Sequence, residues 1–453
     1  MNHGPNARGR EIRSFINQYS AIRIFRDAED HELVIESNPY RRPLRANDNR
    51  FIDFDGRLGR ELLVTNSSLA ANRMLLNIYE SELLHVPPAG RDDLWADFGL
   101  FYAPLTRSIA EAIRPVLENH VFGFLDAECA HVAGWGRHDL QAAISATFAA
   151  SPTRALCSTI LSMKCKQRQA RFYLLQRSIG FLFGNRETRA AHPVARHWNV
   201  VGLAEQPRRP MALSPRALSA VGLKPEPHSY WQFYLPTWLI LNNYAHCLAR
   251  DPTRLFRYIG FVCFAEADAA ASCEAEQAMF RELFGAEASP EAPAFRGARA
   301  VWEELVAPVL ANYGDEHATE IARGFEEARV LTDLAKADFV LQATWFDELP
   351  RFREHATRLY ARIRSGEMPT PLETFVEPLG ERSTTHVHDD DRLLVIERGS
   401  MDFFPALGDA IRFDPGDVML VPRHHLHGSV VRTKDCVYHQ PLVSPEAAAG
   451  ALR

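Results

Sequence analysis

The spacing of apolar residues changes abruptly after Arg364 and divides this chain of 453 residues into two kinds of structure. Before that point apolar side chains recur at intervals of three and four, which predicts amphipathic helices. After it, Gly366, Pro369 and Pro371 interrupt the helical pattern, and short alternating runs follow between turn residues. A long helical region followed by a β region predicts an α+β chain with more than one domain.

The helical patterns begin at Ser67 or Ser68, either of which can cap the first helix, and they dominate from Leu94 to about Ser365. Few β-branched runs interrupt them, and the alanine content of 265–271 allows helices to approach closely, so we predict a helical bundle. A short strand-like run lies earlier, at 33–35. The predicted helices cover 105–121, 140–149, 156–183, 231–248, 255–283, 298–309 and 317–334.

The β region is compact, since six predicted strands fall in fewer than 90 residues. Strands this short and closely spaced favour a small sandwich or barrel, closed so that no long edge is left bare. The predicted strands cover 384–388, 392–397, 401–404, 410–413, 418–421 and 428–431.

Composition and charge exclude several classes of protein. A chain with 46% hydrophobic and 24% charged residues is a folded one, and a formal net charge of -6 makes nucleic acid an unexpected partner. The seven cysteines form no CxxC pair, and their odd number argues against a disulfide framework. The first residues lack the apolar core of a secretion signal, and Pro236 breaks the most apolar run, 231–241. We therefore expect a cytoplasmic protein without a membrane anchor.

Histidines are concentrated at the C-terminal end. Six of the 18 fall in the last 68 residues, where an even spread would place about three. His386 and His388 are two apart on a predicted strand, so both rings project from the same face of the sheet and can converge on one ion. The six are His386, His388, His424, His425, His427 and His439.

The spacing around these histidines resembles the two motifs of the cupins. Gly380 precedes His386 by six positions, Gly399 follows, and later Gly416 is followed by Pro422 and, five residues on, His427. The resemblance covers roughly 370–453 and implies a β-barrel whose mouth holds a metal between His386, His388 and His427. His424 and His425 are then expected at the rim or behind the ligands, and His439 either behind them or at the surface.

Where many cupins carry a glutamate ligand, this chain has Arg392, which cannot bind a cation. The departure indicates a three-histidine site. Three neutral imidazoles leave a divalent ion its full charge and adjacent open positions, which suits dioxygen and a substrate side by side. We expect Fe(II) ahead of zinc, nickel or manganese; the open alternative is a cupin whose histidines are vestigial or ordinary polar lining.

The combination of a helical bundle with a three-histidine cupin resembles the N-nitrosourea-forming metalloenzymes of streptozotocin biosynthesis. In that family a haem-oxygenase-like di-iron domain hydroxylates guanidine nitrogens of an arginine derivative, a monooxygenase step, and the cupin iron rearranges the product with N–N bond formation. The resemblance implies a mainly helical dimerisation region at 1–125, a haem-oxygenase-like domain at 126–365 and a cupin at 366–453. A homodimer is also expected from it.

For the helical domain the family pattern is a glutamate and a histidine, a second glutamate, and a last helix with histidine, aspartate and histidine spaced by four and three. Onto this pattern we place Glu187, His197, Glu266 and His317 as candidate di-iron ligands. The last helix departs from it, because with His317 as the final histidine the aspartate position, three residues earlier, is Gly314 and the first histidine position, seven residues earlier, is Leu310. Either other residues serve (Asp315, Glu316, Glu320), or the domain has lost one or both irons.

The expected function is that of an iron-dependent oxygenase of specialised metabolism. It would carry out N-oxygenation, N–N bond-forming rearrangement (N-nitrosation) or both on a guanidine-bearing amino acid, with dioxygen as co-substrate. Two alternatives stay open: a cupin dioxygenase for a thiol or small aromatic substrate, and a non-catalytic ligand sensor with a structural metal. An open three-ligand site favours an enzyme, since structural metals prefer closed four-ligand shells.

Overall fold

The structure is a computed structural model that describes residues 14, 56–83, 104–180, 215–224, 230–285, 288, 295–406 and 410–451. The predicted order of a helical region followed by a β region is confirmed. The strand-like run at 33–35 lies outside the described residues. No helix in the described part of the chain combines the length and apolar character needed to cross a bilayer.

Nine longer helices make up most of the described part of the helical region. They are α1 (Asn66–Leu83), α2 (Pro104–Phe122), α3 (Arg137–Ala149), α4 (Pro152–Ser162), α5 (Lys166–Arg177), α6 (Pro236–Arg250), α7 (Leu255–Phe284), α8 (Ala318–Asp347) and α9 (Leu349–Arg364). Shorter helical segments are Arg60–Leu62, Leu125–Glu128, Ala130–Val132, Ser178–Gly180, Pro215–Ala220, Trp231–Phe233, Pro252–Arg254, Ala298–Val301, Trp302–Val306, Ala307–Tyr313, Asp315–His317, Pro445–Ala448 and Ala449–Ala451.

The centre of the bundle is the pair α7 and α8, each 30 residues long. The two helices run in the same direction. Near their first residues, Arg257 of α7 pairs with Glu320 of α8. Towards their last residues, Phe280 of α7 and Phe339 of α8 both pack on Tyr173 of α5. Glycines allow the close approach. A Cβ at Gly260 would lie 1.9 Å from the Ile321 carbonyl oxygen, and one at Gly324 would lie 1.8 Å from that of Arg257.

The C-terminal strands form two antiparallel sheets. The first has the order β1-β8-β3-β6 with β9 added to β3, and the second has the order β2-β7-β4-β5. Their inner faces share one buried cluster, in which Leu393 and Val395 of the first sheet lie with Met401 and Phe403 of the second. The strands are β1 (Thr374–Pro378), β2 (Arg382–His386), β3 (Asp391–Arg398), β4 (Met401–Pro405), β5 (Ile411–Phe413), β6 (Val418–Val421), β7 (His427–Val431), β8 (Asp435–His439) and β9 (Leu442–Val443).

The predicted helix at 156–183 is in fact two helices, α4 and α5. The break between them is held from outside, because the Asp347 carboxylate of α8 accepts the backbone N–H groups of Lys164 and Cys165 at 2.6 and 3.1 Å. The last predicted helix also continues well beyond residue 334, to Asp347, and Pro350 begins a separate α9. β1, β8 and β9 were not predicted, whereas each of the six predicted strands has a counterpart.

Helices and sheets share part of their apolar core. Val387 and Leu426, which flank the predicted metal ligands, lie in one buried cluster with Phe233, Leu239 and Phe339 of the helical region. Removing such side chains from water is the main favourable contribution to packing. The segments that carry the histidines are therefore seated directly on the helical bundle.

Candidate metal centre

His386, His388 and His427 come together although 39 residues separate the last two. His386 is the last residue of β2, His388 lies in the loop that follows, and His427 is the first residue of β7. β2 and β7 pair antiparallel with His386 opposite His427. A shift of register between Ser383 and His386 precedes this pair.

The three rings surround one point. The Nε2 atoms of His386 and His388 are 3.3 Å apart, and one ligand nitrogen from each histidine lies within 4.8 Å of the other two. Two nitrogens about 2.1 Å from one ion, at angles between octahedral and tetrahedral values, would be separated by about 3.0–3.4 Å. Among the described residues this is the one group of three or more that could hold a metal ion, and a small contraction would fit it to one.

Backbone carbonyls orient two of the three rings. His386 Nδ1 lies 2.8 Å from the Thr384 carbonyl oxygen, and His427 Nδ1 lies 2.8 Å from that of His425. A carbonyl only accepts, so Nδ1 carries the hydrogen and donates it, and the lone pair is left on Nε2. Such contacts behind metal ligands fix both the tautomer and the direction of the ring.

Two of the three rings are held uncharged. Burial lowers the pKa of His427, and the neighbouring His386 lowers it further. Burial also lowers the pKa of His388, with smaller contributions from His427, His386 and Arg392. Neutral imidazole is the form that binds a metal, and three neutral ligands leave the charge of the ion undiminished.

Arg392 adds a fixed positive charge beside the cluster. The half-buried guanidinium lies 3.6 Å from Glu373 and 4.0 Å from Asp390. Asp389 and Asp390 are exposed, whereas Asp391 is buried and accepts the Arg423 backbone N–H at 2.9 Å. Both signs of charge therefore flank the three histidines.

The remaining histidines of this region lie outside the three-ring cluster. His425 is buried against Trp345, and its carbonyl supports His427. His424 stands at positive φ, 64°, and donates its backbone N–H to the His388 carbonyl. His439 contacts Thr374 and lies 2.8 Å from Glu397.

Of the four candidates in the helical domain, Glu187 and His197 lie outside the described residues. Glu266 and His317 are not brought together. The ring of His317 stacks on that of Phe256 in α7, with the ring centroids 3.8 Å apart. Glu266 lies ten residues after Phe256 in α7, which is about 15 Å along the helix axis. Two of the alternative di-iron ligands named above are engaged in ion pairs: Asp315 pairs with Arg137, and Glu320 pairs with Arg257.

A cavity of about 110 Å³ lies between α4, α5, α6, α7 and α8. Its acidic residues are already engaged: Asp268 accepts from Ser151 and Thr153, and Glu276 accepts from Arg177 and Tyr173.

The same cavity has no histidine in its described lining. On α8 it is lined by Ala328, Thr332, Ala335 and Lys336. Alanine side chains offer no metal ligand. The described residues therefore do not fit a di-iron centre in this cavity.

Contacts from the helical region to the ligand-bearing segments were not predicted. Arg73, Gln232 and Gln342 reach backbone groups adjacent to the histidines across 82 to 312 residues of sequence. No local pattern distinguishes these residues from other polar residues in helices. Only the packing of the two regions against each other identifies them.

Comparison with known proteins gives one match over nearly the full length. The nitrosourea synthase of Streptomyces achromogenes subsp. streptozoticus is 32% identical over 456 residues, covering 95% of each chain. No family model matches the chain. The solved structure of KdgF from Halomonas sp. aligns with 16% of this chain and 70% of its own, at 22% identity and a TM-score of 0.14.

Proposed function

This chain belongs to the nitrosourea synthase family of enzymes, and on that basis we propose that it is an iron-dependent oxygenase acting on a guanidine-bearing, arginine-derived amino acid. The reaction is N-oxygenation, N–N bond-forming oxidative rearrangement of the guanidine, or both. The observation that carries the proposal is the convergence of His386, His388 and His427, with Nδ1 of His386 and of His427 directed at backbone carbonyls.

Iron bound by the three histidines would supply redox chemistry with dioxygen as co-substrate. The role of the protein is to keep the imidazoles neutral and to orient their rings. The carbonyls of Thr384 and His425 orient the rings of His386 and His427, and burial lowers the pKa of His388 and His427. Three neutral imidazoles would leave a bound ion its full charge.

The charges around the site suit an amino acid with a guanidinium group. Arg392 offers a cation for the substrate carboxylate, while the exposed Asp389 and Asp390 offer anions for the guanidinium or the amino group. A substrate that carries both charges would be oriented by both. A thiol or small aromatic substrate would use only one of these groups or neither.

For the step carried out here, we propose the second of the family's two oxidations, the N–N bond-forming rearrangement. The reason is the composition of the helical domain. The described lining of its cavity offers two carboxylates, both engaged, and no imidazole. We therefore expect the substrate to arrive already N-hydroxylated. Its N-hydroxyl oxygen would approach the three-histidine centre.

The test is anaerobic loading with Fe(II), followed by N-hydroxyarginine analogues and then oxygen, with oxygen uptake and product mass measured. A product with a new N–N bond is expected. Absence of both oxygen uptake and mass change would contradict the proposal. Parallel reactions with cysteine and with a small catechol test the dioxygenase alternative, and binding without turnover would indicate a sensor.

A further inference from the structure

The helical region grips the loop between β6 and β7 that leads into His427. Gln342 of α8 is buried, and its amide bonds both ends of a three-residue stretch of that loop. Its Nε2 donates to the His424 carbonyl at 2.8 Å, and its Oε1 accepts the Leu426 backbone N–H at 3.0 Å. These two bonds hold the stretch against the helix.

This stretch is connected to two of the three ligands. The backbone N–H of His424 donates to the His388 carbonyl at 2.7 Å, and the carbonyl of His425 accepts from His427 Nδ1 at 2.8 Å. A displacement of the loop would therefore move His388 and turn the ring of His427. The positive φ of His424, 64°, is a costly conformation for a residue with a side chain, and the Gln342 contact supports it.

Gln342 is itself fixed in place. Its Nε2 also bonds Asp338 one turn earlier at 3.1 Å, and the other oxygen of Asp338 accepts from the Thr237 hydroxyl at 2.7 Å. Thr237 lies on α6, so the amide is braced by two helices. Because its rotation is restricted, the Gln342 side chain keeps the loop at a fixed position relative to the helical bundle.

A second contact holds the strand that carries His386. Thr385, the preceding residue, is almost fully buried at 1% exposure. Arg73 of α1 donates to the Thr385 carbonyl and hydroxyl oxygens, each at 2.8 Å, and Gln232 Oε1 accepts the Thr385 N–H at 3.0 Å. Both backbone groups of Thr385, its N–H and its carbonyl, are thus hydrogen-bonded to the helical region beside His386.

We propose that Gln342 and Arg73 are positioning residues for the three-histidine centre, so that the helical bundle sets the separation of the two ligand-bearing segments. The inference rests on the proposed metal site. Contacts behind metal ligands typically change metal affinity by 10–100-fold when they are removed. One of the roles of the helical region is then to shape the metal centre.

The test compares Gln342→Met with Gln169→Met in the full chain. Gln169 is a matched control: it is also buried, and its side chain donates to Ala343 and Asp347 of α8 and, among the described residues, to nothing in the sheets. Metal dissociation constants for Fe(II) and Co(II) are measured by chelator competition under anaerobic conditions. The absorption bands of bound Co(II) report the coordination geometry.

For Gln342→Met we expect metal binding about 10–100-fold weaker and altered Co(II) bands. For Gln169→Met we expect binding within about two-fold of the parent chain, even if its melting temperature falls. Unchanged affinity and bands in Gln342→Met would overturn the inference. If that variant does not fold, Arg73→Lys, which keeps the charge and loses the forked contact, is judged by the same criteria.

The two proposals fail in different ways. If the parent chain binds neither Fe(II) nor Co(II), the proposed metal centre is wrong. If it binds them and the Gln342 and Arg73 variants bind equally well with the same spectrum, only the positioning role is wrong.

Discussion

His427 donates its Nδ1 hydrogen to the carbonyl of His425, a residue two positions away whose own ring is buried against Trp345. The ring of His427 is thereby turned so that Nε2 faces His386 and His388. One backbone carbonyl thus decides which nitrogen of a candidate metal ligand is available.

The first prediction concerns the ligands. His388→Ala is expected to weaken metal binding by more than about 100-fold, since removing a ligand should exceed the effect of removing a supporting contact. Turnover should be lost with it, while the far-ultraviolet circular dichroism stays unchanged. His439→Ala is the control, because His439 contacts Thr374 and Glu397 and lies outside the three-ring cluster. Normal metal content in His388→Ala would contradict the assignment.

The second prediction is a metal count. Protein loaded anaerobically and freed of excess iron should contain about one iron per chain, because the described residues form one group able to bind a metal. Elemental analysis of the parent chain and of His386→Ala measures this, and the variant should contain almost none. Three irons per chain, two of them retained in His386→Ala, would show that the helical domain has a di-iron centre.

Much of the three-histidine cluster could be predicted from the sequence. Two histidines at a spacing of two near the end of a strand lie close for a physical reason, whereas His427 was placed by the resemblance of the Gly416–Pro422–His427 spacing to a cupin motif. The helical contacts could not be predicted, because Gln342 and Arg73 owe their role to tertiary packing across 82 and 312 residues. The placement of Glu187 and His197 stays a prediction.

The third prediction concerns the crossing of α7 and α8. Gly260→Ala should lower the free energy of unfolding by about 3 kcal/mol or more, because the new methyl group would meet the Ile321 backbone carbonyl, which cannot move aside as a side chain can. Urea titration measures it. Gly297→Ala is the control, since a Cβ there has nothing within 4 Å. Equal stability of the two variants would show that the helices are farther apart than described.

The fourth prediction concerns Glu266, which is 1% exposed and whose Oε1 has no hydrogen-bond partner among the described residues. Burial raises the pKa of this carboxyl from 4.5 to about 8. The unfolded chain therefore loses the proton at lower pH than the folded chain does. The stability that depends on this group is complete below about pH 4.5 and declines as the pH rises to about 8.

At about 1.36 kcal/mol per pH unit, the parent chain should lose roughly 4 kcal/mol between pH 5 and pH 8 through this group, and Glu266→Gln should lose that much less. Urea titrations at both pH values measure the difference. Glu282→Gln, at an exposed residue paired with Lys166, should follow the parent chain. A parallel pH dependence of Glu266→Gln and the parent, or a lower iron content in the variant, would indicate a charged, ligating carboxylate instead.

The order of a helical region and a β region was predictable from periodicity alone. The boundaries of individual helices and the complete set of strands were not. The break between α4 and α5 depends on Asp347, nearly two hundred residues away, and the short buried run of β8 lacks the alternation that marks a half-exposed strand. In both places tertiary contacts decide what the local pattern leaves open.

The apolar core shared by Val387, Leu426 and the helices has an evolutionary consequence. A gene fusion that exchanged the β part for that of a distant relative would have to match both the buried surface and the backbone contacts beside each histidine. Shuffling of these two parts as independent modules is therefore disfavoured, and changes in one are expected to select compensating changes in the other.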